Sequence, residues 1–435
     1  MFSWYHELTD RERKTFWGCF AGWAVDSMDA QLFSFVLPVL ITTWHLTTSR
    51  AGYLGTATLL AAAIGGWVCG LLADRWGRAR VMRFTILWFA VFTFIAGFAQ
   101  NYEQLITVRI LQGIGFGGEW AAGAVLMGEI IKPAHRGKAV GSVQSAFGIG
   151  WSMASIIAGV VLAHVPSAYN WRVLLMVGVV PGLLVLWLRR GIEEPQLYRQ
   201  TRAVLAAQGR RPGPGAIFMP GMCGVTVKAS LLAFGVVGVG GSIVTWLPTF
   251  MKTVHKLSPS ASSLYLFLVT SGSFFGFLAS AYLADRIGRR RTFQLFLVCS
   301  WLVTVAFMFL PLSRWGLVLM GIPFGFFTIG NYATLGPLFT ELFPTAIRGS
   351  GQSFAYNFGK GVGALSVTCI GILAQRISLA EAIGLIALVG YSVAIVITLL
   401  LPETKGMDLK QDQDELPLPA TGTSASTTLS ESPAV

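Results

Sequence analysis

The chain has 435 residues, 54% hydrophobic and only 12% charged, with 14 Trp, 30 Phe and a mean hydropathy of +0.64. A charged share about half that of soluble domains excludes a disordered chain, a disulfide scaffold and a soluble nucleic-acid binder, and marks a membrane protein. The formal net charge of +12 takes its meaning from where the charges lie.

The N-terminal stretch runs through Arg11, Arg13 and Lys14 into an apolar segment with no small-residue cleavage site, and reads as a cytoplasmic lead into the first span. A spanning helix needs about 20 apolar residues. Twelve segments qualify, at 16–41, 52–73, 81–99, 104–130, 139–164, 171–188, 221–250, 262–284, 292–311, 315–342, 350–374 and 379–401. The longest polar break, 189–220, contains Arg210-Arg211-Pro212-Gly213-Pro214-Gly215, a linker composition. The expected organisation is thus a bundle over 1–188, a linker over 189–220, a bundle over 221–405 and a disordered tail over 406–435, rich in Ser, Thr, Pro and acids. The five cysteines (Cys19, Cys69, Cys223, Cys299, Cys369) lie scattered in or beside apolar stretches without metal-ligand spacing and read as packing residues.

With both termini cytoplasmic, 23 of the 32 Lys and Arg fall on the cytoplasmic side, six outside and three (Arg109, Lys228, Lys360) within spans. That excess fits the positive-inside rule. The basic charge faces anionic lipid and implies no nucleic-acid partner.

The two halves repeat at an offset of about 211 residues. Asp74-Arg75-Trp76-Gly77-Arg78-Ala79-Arg80 after span 2 returns as Asp285-Arg286-Ile287-Gly288-Arg289-Arg290-Arg291 after span 8. Glu129…Pro133…Arg136-Gly137 returns as Glu341…Pro344…Arg348-Gly349, and Glu193-Glu194-Pro195 has a looser echo in Pro402-Glu403. Two six-helix halves joined by a linker make a transporter architecture, with the binding site expected near the midplane between them.

Gly70-x-x-x-Asp74-Arg75-x-Gly77-Arg78-x-Arg80 and its second copy resemble the loop signature of the major facilitator superfamily, with Ala79 and Ala281 as departures. An Asp at a helix end beside arginines can make charge-assisted hydrogen bonds that break and re-form as helices rock. Gly70, Asp74, Arg75, Gly77, Arg78, Asp285, Arg286, Gly288 and Arg289 are therefore read as a conformational latch, against the plainer reading of basic loops that only set topology.

Charges inside the membrane cost roughly 2.5–3.5 kcal/mol each at a helix centre, so each needs a reason. Asp26 and Asp29 lie roughly 15–20 Å into span 1, at about 1.5 Å per residue. Their i, i+3 spacing puts both on one helix face, where two carboxylates cannot both stay ionised at low cost. They are read as a proton-coupling site, or structurally as a pair neutralised by an Arg. Span 4 carries Arg109 and Glu119, buried opposite charges read as a proton relay, around a run from Gly113 to Gly118 that the need for close helix packing explains fully. No strand precedes that run, which excludes a nucleotide site. Lys360, flanked by Gly359 and Gly361 in span 11, pairs by the repeat with Gly148, so its charge belongs to one half only. It is read as a substrate carboxylate anchor, or as a salt-bridge partner of Asp26, Asp29 or Glu119. Lys228 is expected to snorkel. Gln31, Gln144, Trp151, Thr328, Asn331, Tyr332, Tyr356 and Asn357 are candidate cavity-lining residues for a ring-shaped or unsaturated substrate, though helix packing accounts for any single one.

Gly22-Trp23-Ala24-Val25-Asp26-Ser27-Met28-Asp29 resembles the first-helix Asp-Gly-x-Asp motif of aromatic acid/proton symporters, with Ser27 in place of Gly. With Phe2-Ser3-Trp4-Tyr5, Gln112-Gly113, Glu341-Leu342-Phe343-Pro344-Thr345 and Phe354-Ala355-Tyr356-Asn357, the chain looks most like bacterial muconate and methylmuconolactone transporters. The resemblance implies an all-α fold of twelve transmembrane helices in a bacterial inner membrane, a small organic anion and protons as partners, a monomer, no cofactor, and Asp26 and Asp29 as coupling residues. Sialate symporters share the opening Trp-Tyr and the Asp pair, which leaves that branch open. Drug efflux is disfavoured because Ser145–Trp151 lacks the Gly-Pro of the efflux hallmark. A sensor would call for an added signalling domain, and an enzyme lacks a nucleophile–base set or metal spacing.

Overall fold

The computed structural model describes residues 3–46, 48–166, 169–188, 192–208, 213, 215–256, 259–407 and 409. Helices account for every expected span. The first half comprises span 1 (Asp10–Thr43), span 2 (Thr48–Trp76), span 3 (Arg78–Ala96), span 4 (Tyr102–Ile130), span 5 (Arg136–His164) and span 6 (Asn170–Val177 and Val179–Leu188). The second comprises span 7 (Cys223–Ala233, a π-helical Phe234–Val239, then Gly240–Thr253), span 8 (Pro259–Ile287), span 9 (Arg289–Phe309), span 10 (Arg314–Thr328, a 3-10 turn Gly330–Thr334, then Leu335–Leu342), span 11 (Arg348–Leu373) and span 12 (Leu379–Leu400). A linker helix, Gln196–Ala207, lies between the halves in sequence.

Local chemistry fixes the helix starts. Span 1 begins in the charged lead, earlier than apolarity alone predicts, because Thr9 and Glu12 form a reciprocal capping box; Ser378 and Glu381 do the same for span 12. Asn101 caps span 4 by accepting from the Gln104 amide. Among the described residues, eight helices are long and apolar enough to cross a membrane by length and composition, covering spans 2, 3, 5, 7–10 and 12. Outside that set, spans 1, 4 and 11 are the three that carry Asp26, Asp29, Arg109, Glu119 and Lys360, and span 6 is interrupted at Gly178.

The halves meet through two equivalent pairs, span 2 along span 11 and span 5 along span 8. This is the two-fold relation that the sequence repeat predicts. Large apolar side chains such as Ile64, Ile156, Phe267 and Leu319 point outward, as lipid-facing residues do. Of the cysteines, Cys19 and Cys69 are buried as expected, whereas Cys223 and Cys369 are exposed on the outer surface, which corrects their reading as packing residues. Within the stretch expected as a tail, the Met407 carbonyl accepts from Arg136 and Leu409 is buried. Residue 408 and residues 410–435 lie outside the described residues.

Candidate functional site

At the end of the bundle that carries the repeated loops, the two halves are joined by a doubled charge network. The Asp74 carboxylate accepts from the backbone amides of Gly349 and Ser350, at 3.0 and 2.7 Å, and from the Ser350 hydroxyl. Those amides open span 11 of the other half, so an anion from one half caps a helix N-terminus of the other. The mirror copy has Asp285 accepting from Gly137 and Lys138 at the start of span 5, at 3.0 and 2.8 Å. Arg78 pairs with Asp74 at 3.2 Å and Glu129 at 3.3 Å; Arg289 pairs with Asp285 at 2.9 Å and Glu341 at 2.8 Å. Glu129 also takes Arg348, and Glu341 takes Arg136, both across the interface.

Four of these residues, Glu129, Arg136, Glu341 and Arg348, stand in the sequence repeat, yet nothing in their spacing says that they cross between halves. Conversely, Arg75 and Arg286 do not join the network. Their side chains are exposed, because the residue after each Asp turns about 100° around the helix, away from the interface. Arg75 instead lines a cavity of about 510 Å³ between the linker helix and the network.

Gly70 seats its span directly on Gly349 and Ser353 of span 11. Gly77 and Gly288 adopt φ of +110° and +104°, a region that side chains rarely enter, and each sits beneath a carboxylate. Glu194 accepts from the amides of Arg78 and Arg80, and Glu403 from those of Arg289 and Arg290. The loose Glu-Pro echo of the sequence is thus a pair of caps on spans 3 and 9. Tyr198 of the linker helix covers Arg78, whose guanidinium carbon lies 4.1 Å from the ring centroid. Burial raises the Tyr198 phenol above its usual range and Arg78 opposes that, leaving a neutral hydroxyl that donates to the Asp74 carbonyl. The indole of Trp4 donates to the Tyr282 hydroxyl of span 8 at 2.8 Å, a further tie between the halves.

Deeper in the bundle, Asp26 and Asp29 are both fully buried but turn to different partners. Asp29 joins a first-half network. The Gln112 amide nitrogen donates to Asp29 Oδ2 at 2.7 Å and to the Thr93 hydroxyl at 2.6 Å, while its oxygen accepts from Arg109 at 2.6 Å. Arg109 also lies 3.7 Å over the Phe33 ring. Arg109 is thus joined to Asp29 through Gln112; the Glu119 side chain, the other member of the expected relay, lies outside the described residues. Gln112 was legible as part of the fourth-helix run but carried no assigned role, since a neutral amide gives no charge signal.

Asp26 instead lies within Coulomb reach of Lys360, which belongs to the other half. Among the described residues Lys360 has no salt bridge within 4.0 Å, and its ammonium sits 4.2 Å from the centroid of Phe116, on span 4. Gly359 and Gly363, flanking Lys360, pack against the π-helical turn of span 7. The buried amide of Asn331, in the 3-10 break of span 10, has no hydrogen-bond partner among the described residues. Its neighbour Tyr332 lies within electrostatic reach of Tyr356, and its hydroxyl lies close to Gly240 of span 7. Tyr332 thus stands between span 7 and Tyr356, which precedes Lys360 by about one helical turn.

The remaining candidates divide. Gln144 lines a small cavity with Trp23 and Cys19, and Trp151 packs edge-on against Phe147 in the same half. The Asn357 amide nitrogen donates to the Gly117 carbonyl across the interface at 3.0 Å and to the Ser353 carbonyl, while its oxygen is buried with no partner among the described residues. Thr328 donates to its own helix at Phe324, as a packing residue does, and Gln31 is half-buried. Lys228 turns to the Leu400 carbonyl at the bundle's edge.

The sequence pattern of the Major Facilitator Superfamily matches residues 19–368. The chain belongs to that superfamily. It is 43% identical over 410 residues to a probable 4-methylmuconolactone transporter of Cupriavidus pinatubonensis, covering 94% of this chain and 95% of that protein. It is 28% identical to the cis,cis-muconate transport protein of Acinetobacter baylyi, over 81% and 85% of the two chains. Among solved structures, the proton:xylose symporter XylE superimposes with a TM-score of 0.78 at 18% identity, covering 92% of this chain and 98% of that one. This major facilitator protein is an all-α, multi-pass membrane transporter and not an enzyme, as the sequence predicts.

Proposed function

We propose that the chain imports a small organic acid, an aromatic acid or a ring-cleavage product of the muconate or methylmuconolactone kind, together with protons, across a bacterial inner membrane. One observation carries the reading: a half-buried lysine at the interface of the halves, Lys360, held over an aromatic face and balanced by Asp26 from the opposite half, with no salt bridge within 4.0 Å among the described residues. A cation held so loosely in an apolar site is ready to exchange its counter-ion for a substrate carboxylate. Phe116 and, one turn earlier on span 11, Tyr356 supply flat apolar and hydroxyl surface beside it; Tyr332 lies within reach of Tyr356, and its neighbour Asn331 brings an amide without partners among the described residues, whose hydrogen bonds a lactone or carboxylate oxygen would complete. The relatives named for methylmuconolactone and muconate fit that chemistry.

In the cycle we infer, a proton on Asp29 and an anion on Lys360 together lower the charge left in the membrane, which permits the halves to rock. The network around Asp74 and Asp285 is closed here; we assign it to the cytoplasmic gate, so that the substrate path of this conformation faces outward. Its charge-assisted bonds break when the gate opens. One proton with a monoanion is electroneutral, whereas each additional proton would draw on about 2.3 kcal/mol per 100 mV.

The test is uptake of radiolabelled cis,cis-muconate, 4-methylmuconolactone, benzoate and sialic acid into vesicles with an imposed inward proton gradient, wild type against Asp29→Asn. Accumulation of a ring-derived acid that collapses with a protonophore and in the variant supports the reading. Uptake of sialic acid alone, or uptake of every probe without gradient dependence, overturns it.

A further inference from the structure

We propose that Gln112 is a positioning residue that keeps one oxygen of Asp29 as a permanent hydrogen-bond acceptor, so that the coupling proton loads on the other oxygen, Oδ1, in a niche walled by Gly178. This rests on the reading of Asp29 as the proton carrier and adds the atom, the residue that selects it and the wall that shapes its access.

Arginine can only donate, so the end of the Gln112 amide that meets Arg109 at 2.6 Å must be its oxygen. The NH2 end then faces Asp29 Oδ2 at 2.7 Å and the Thr93 oxygen at 2.6 Å. The Thr93 hydroxyl, whose one proton can serve the Phe89 carbonyl at 3.0 Å or Asp29, has its oxygen free to accept from Gln112. Flipping the amide would set donor against donor at Arg109 and acceptor against acceptor at Asp29, which locks its orientation. A proton placed on Oδ2 would collide with the Gln112 N–H.

Oδ1 is different: it is buried and has no hydrogen-bond partner among the described residues. Its neighbour is Gly178, where span 6 breaks between Val177 and Val179; a β-carbon built there would lie 3.2 Å from Oδ1, close enough to crowd it. The groups facing Asp29 are few. Span 4 presents Arg109 and Gln112, span 3 Thr93, span 6 Gly178, and on span 1 itself Asp26 stands one turn earlier and serves Lys360.

Gln112 has a second effect. By standing between Arg109 and Asp29 it prevents a direct guanidinium–carboxylate pair, which would hold Asp29 ionised throughout the cycle. The interposed amide keeps the attraction but leaves the carboxylate free to take a proton.

Infrared titration of the purified protein in lipid reads this without needing a substrate, with the Asp29 carboxyl band assigned by difference against Asp29→Asn. In wild type the proton on Oδ1 leaves Oδ2 as a carbonyl hydrogen-bonded to Gln112. Gln112→Met, similar in shape but without the amide, should shift that carbonyl band, and move the titration midpoint to lower pH by about one unit as Arg109 closes on the carboxylate. Gly178→Ala should perturb the band and midpoint while leaving the Arg109 side intact, and should have no effect in the Asp29→Asn background. An unchanged carbonyl frequency in Gln112→Met, or an unperturbed titration in Gly178→Ala, overturns the inference while leaving Asp29 as carrier. If no titrating carboxyl band disappears in Asp29→Asn, both the inference and the reading beneath it fail.

Discussion

Arg348 of the second half reaches Glu129 of the first at 2.9 Å, and the oxygen it meets also accepts from Arg78. Glu341 repeats the arrangement with Arg136 and Arg289. Each buried glutamate thus holds one arginine of its own half and one of the other. Glu129→Gln keeps the shape and leaves two buried guanidiniums short of a counter-ion. With charge-assisted bonds worth roughly 1.5–3 kcal/mol, the closed-to-open ratio of that end should fall by about one to two orders of magnitude. Faster labelling of a cysteine placed at the interface there, by a membrane-impermeant maleimide, measures it; unchanged labelling would sink the latch.

Lys360→Gln should reduce binding and uptake of the organic anion about 30-fold or more, the equivalent of roughly 2 kcal/mol for a desolvated charge pair. Lys360→Arg should retain part of it. Equilibrium binding of the labelled acid to the purified variants decides the matter, and equal affinity in wild type and Lys360→Gln rules the anchor out.

The two carboxylates of span 1 should separate in function as they do in space. Asp26→Asn removes the internal competitor at Lys360, so the anion should bind more tightly and leave more slowly. Asp29→Asn should abolish proton-driven accumulation yet leave substrate counterflow running. Identical phenotypes for the two would contradict the division between Lys360 and Gln112 as their partners.

Gly77→Ala and Gly288→Ala each force a side chain into a backbone region that costs about 1–3 kcal/mol and press it against Glu194 or Glu403. A lower thermal midpoint in detergent is expected for both, with Glu194→Gln milder than Gly77→Ala. A midpoint equal to wild type would remove the capping role.

The segment after span 12 is part of the network: Thr404 donates to Glu341 at 2.6 Å and the Met407 carbonyl accepts from Arg136. A chain ending after residue 409 should transport normally, whereas one ending before Thr404 should label at the gate like Glu129→Gln. Normal gating in the shorter chain would show that this strand is only a passenger.

Much of this arrangement was readable in advance because it rests on apolar length and on charge where charge is expensive. Twelve spans, the repeat, Lys360 and the Asp pair all carry such signals. Pairing was not readable, since it depends on which way a side chain turns. Arg75 adjoins Asp74 in sequence but turns away from the interface, while Arg348, some 270 residues away, closes the network. Gln112 was silent because an uncharged amide in a helix has many packing uses, and only three simultaneous short hydrogen bonds reveal this one. Asn357 shows the same limit: a polar residue beside Lys360 reads as a cavity wall, and nothing in the sequence says that its amide nitrogen spans the interface to a backbone carbonyl.

In both copies of the network the acidic side chain of one half grips mainly peptide N–H groups of the other. Recognition of that kind is written in the main chain, which any residue except proline provides. Lys138 could therefore drift widely in sequence and still close its gate, and Ser350 would forfeit only a supplementary hydroxyl. Gly137 and Gly349 have no such latitude, because the carboxylates rest where a β-carbon would stand. Divergence among proteins that share this closure should thus concentrate at the second amide of each pair and spare the first, and a proline at position 138 or 350 would unlock a gate that ordinary side-chain exchange leaves shut.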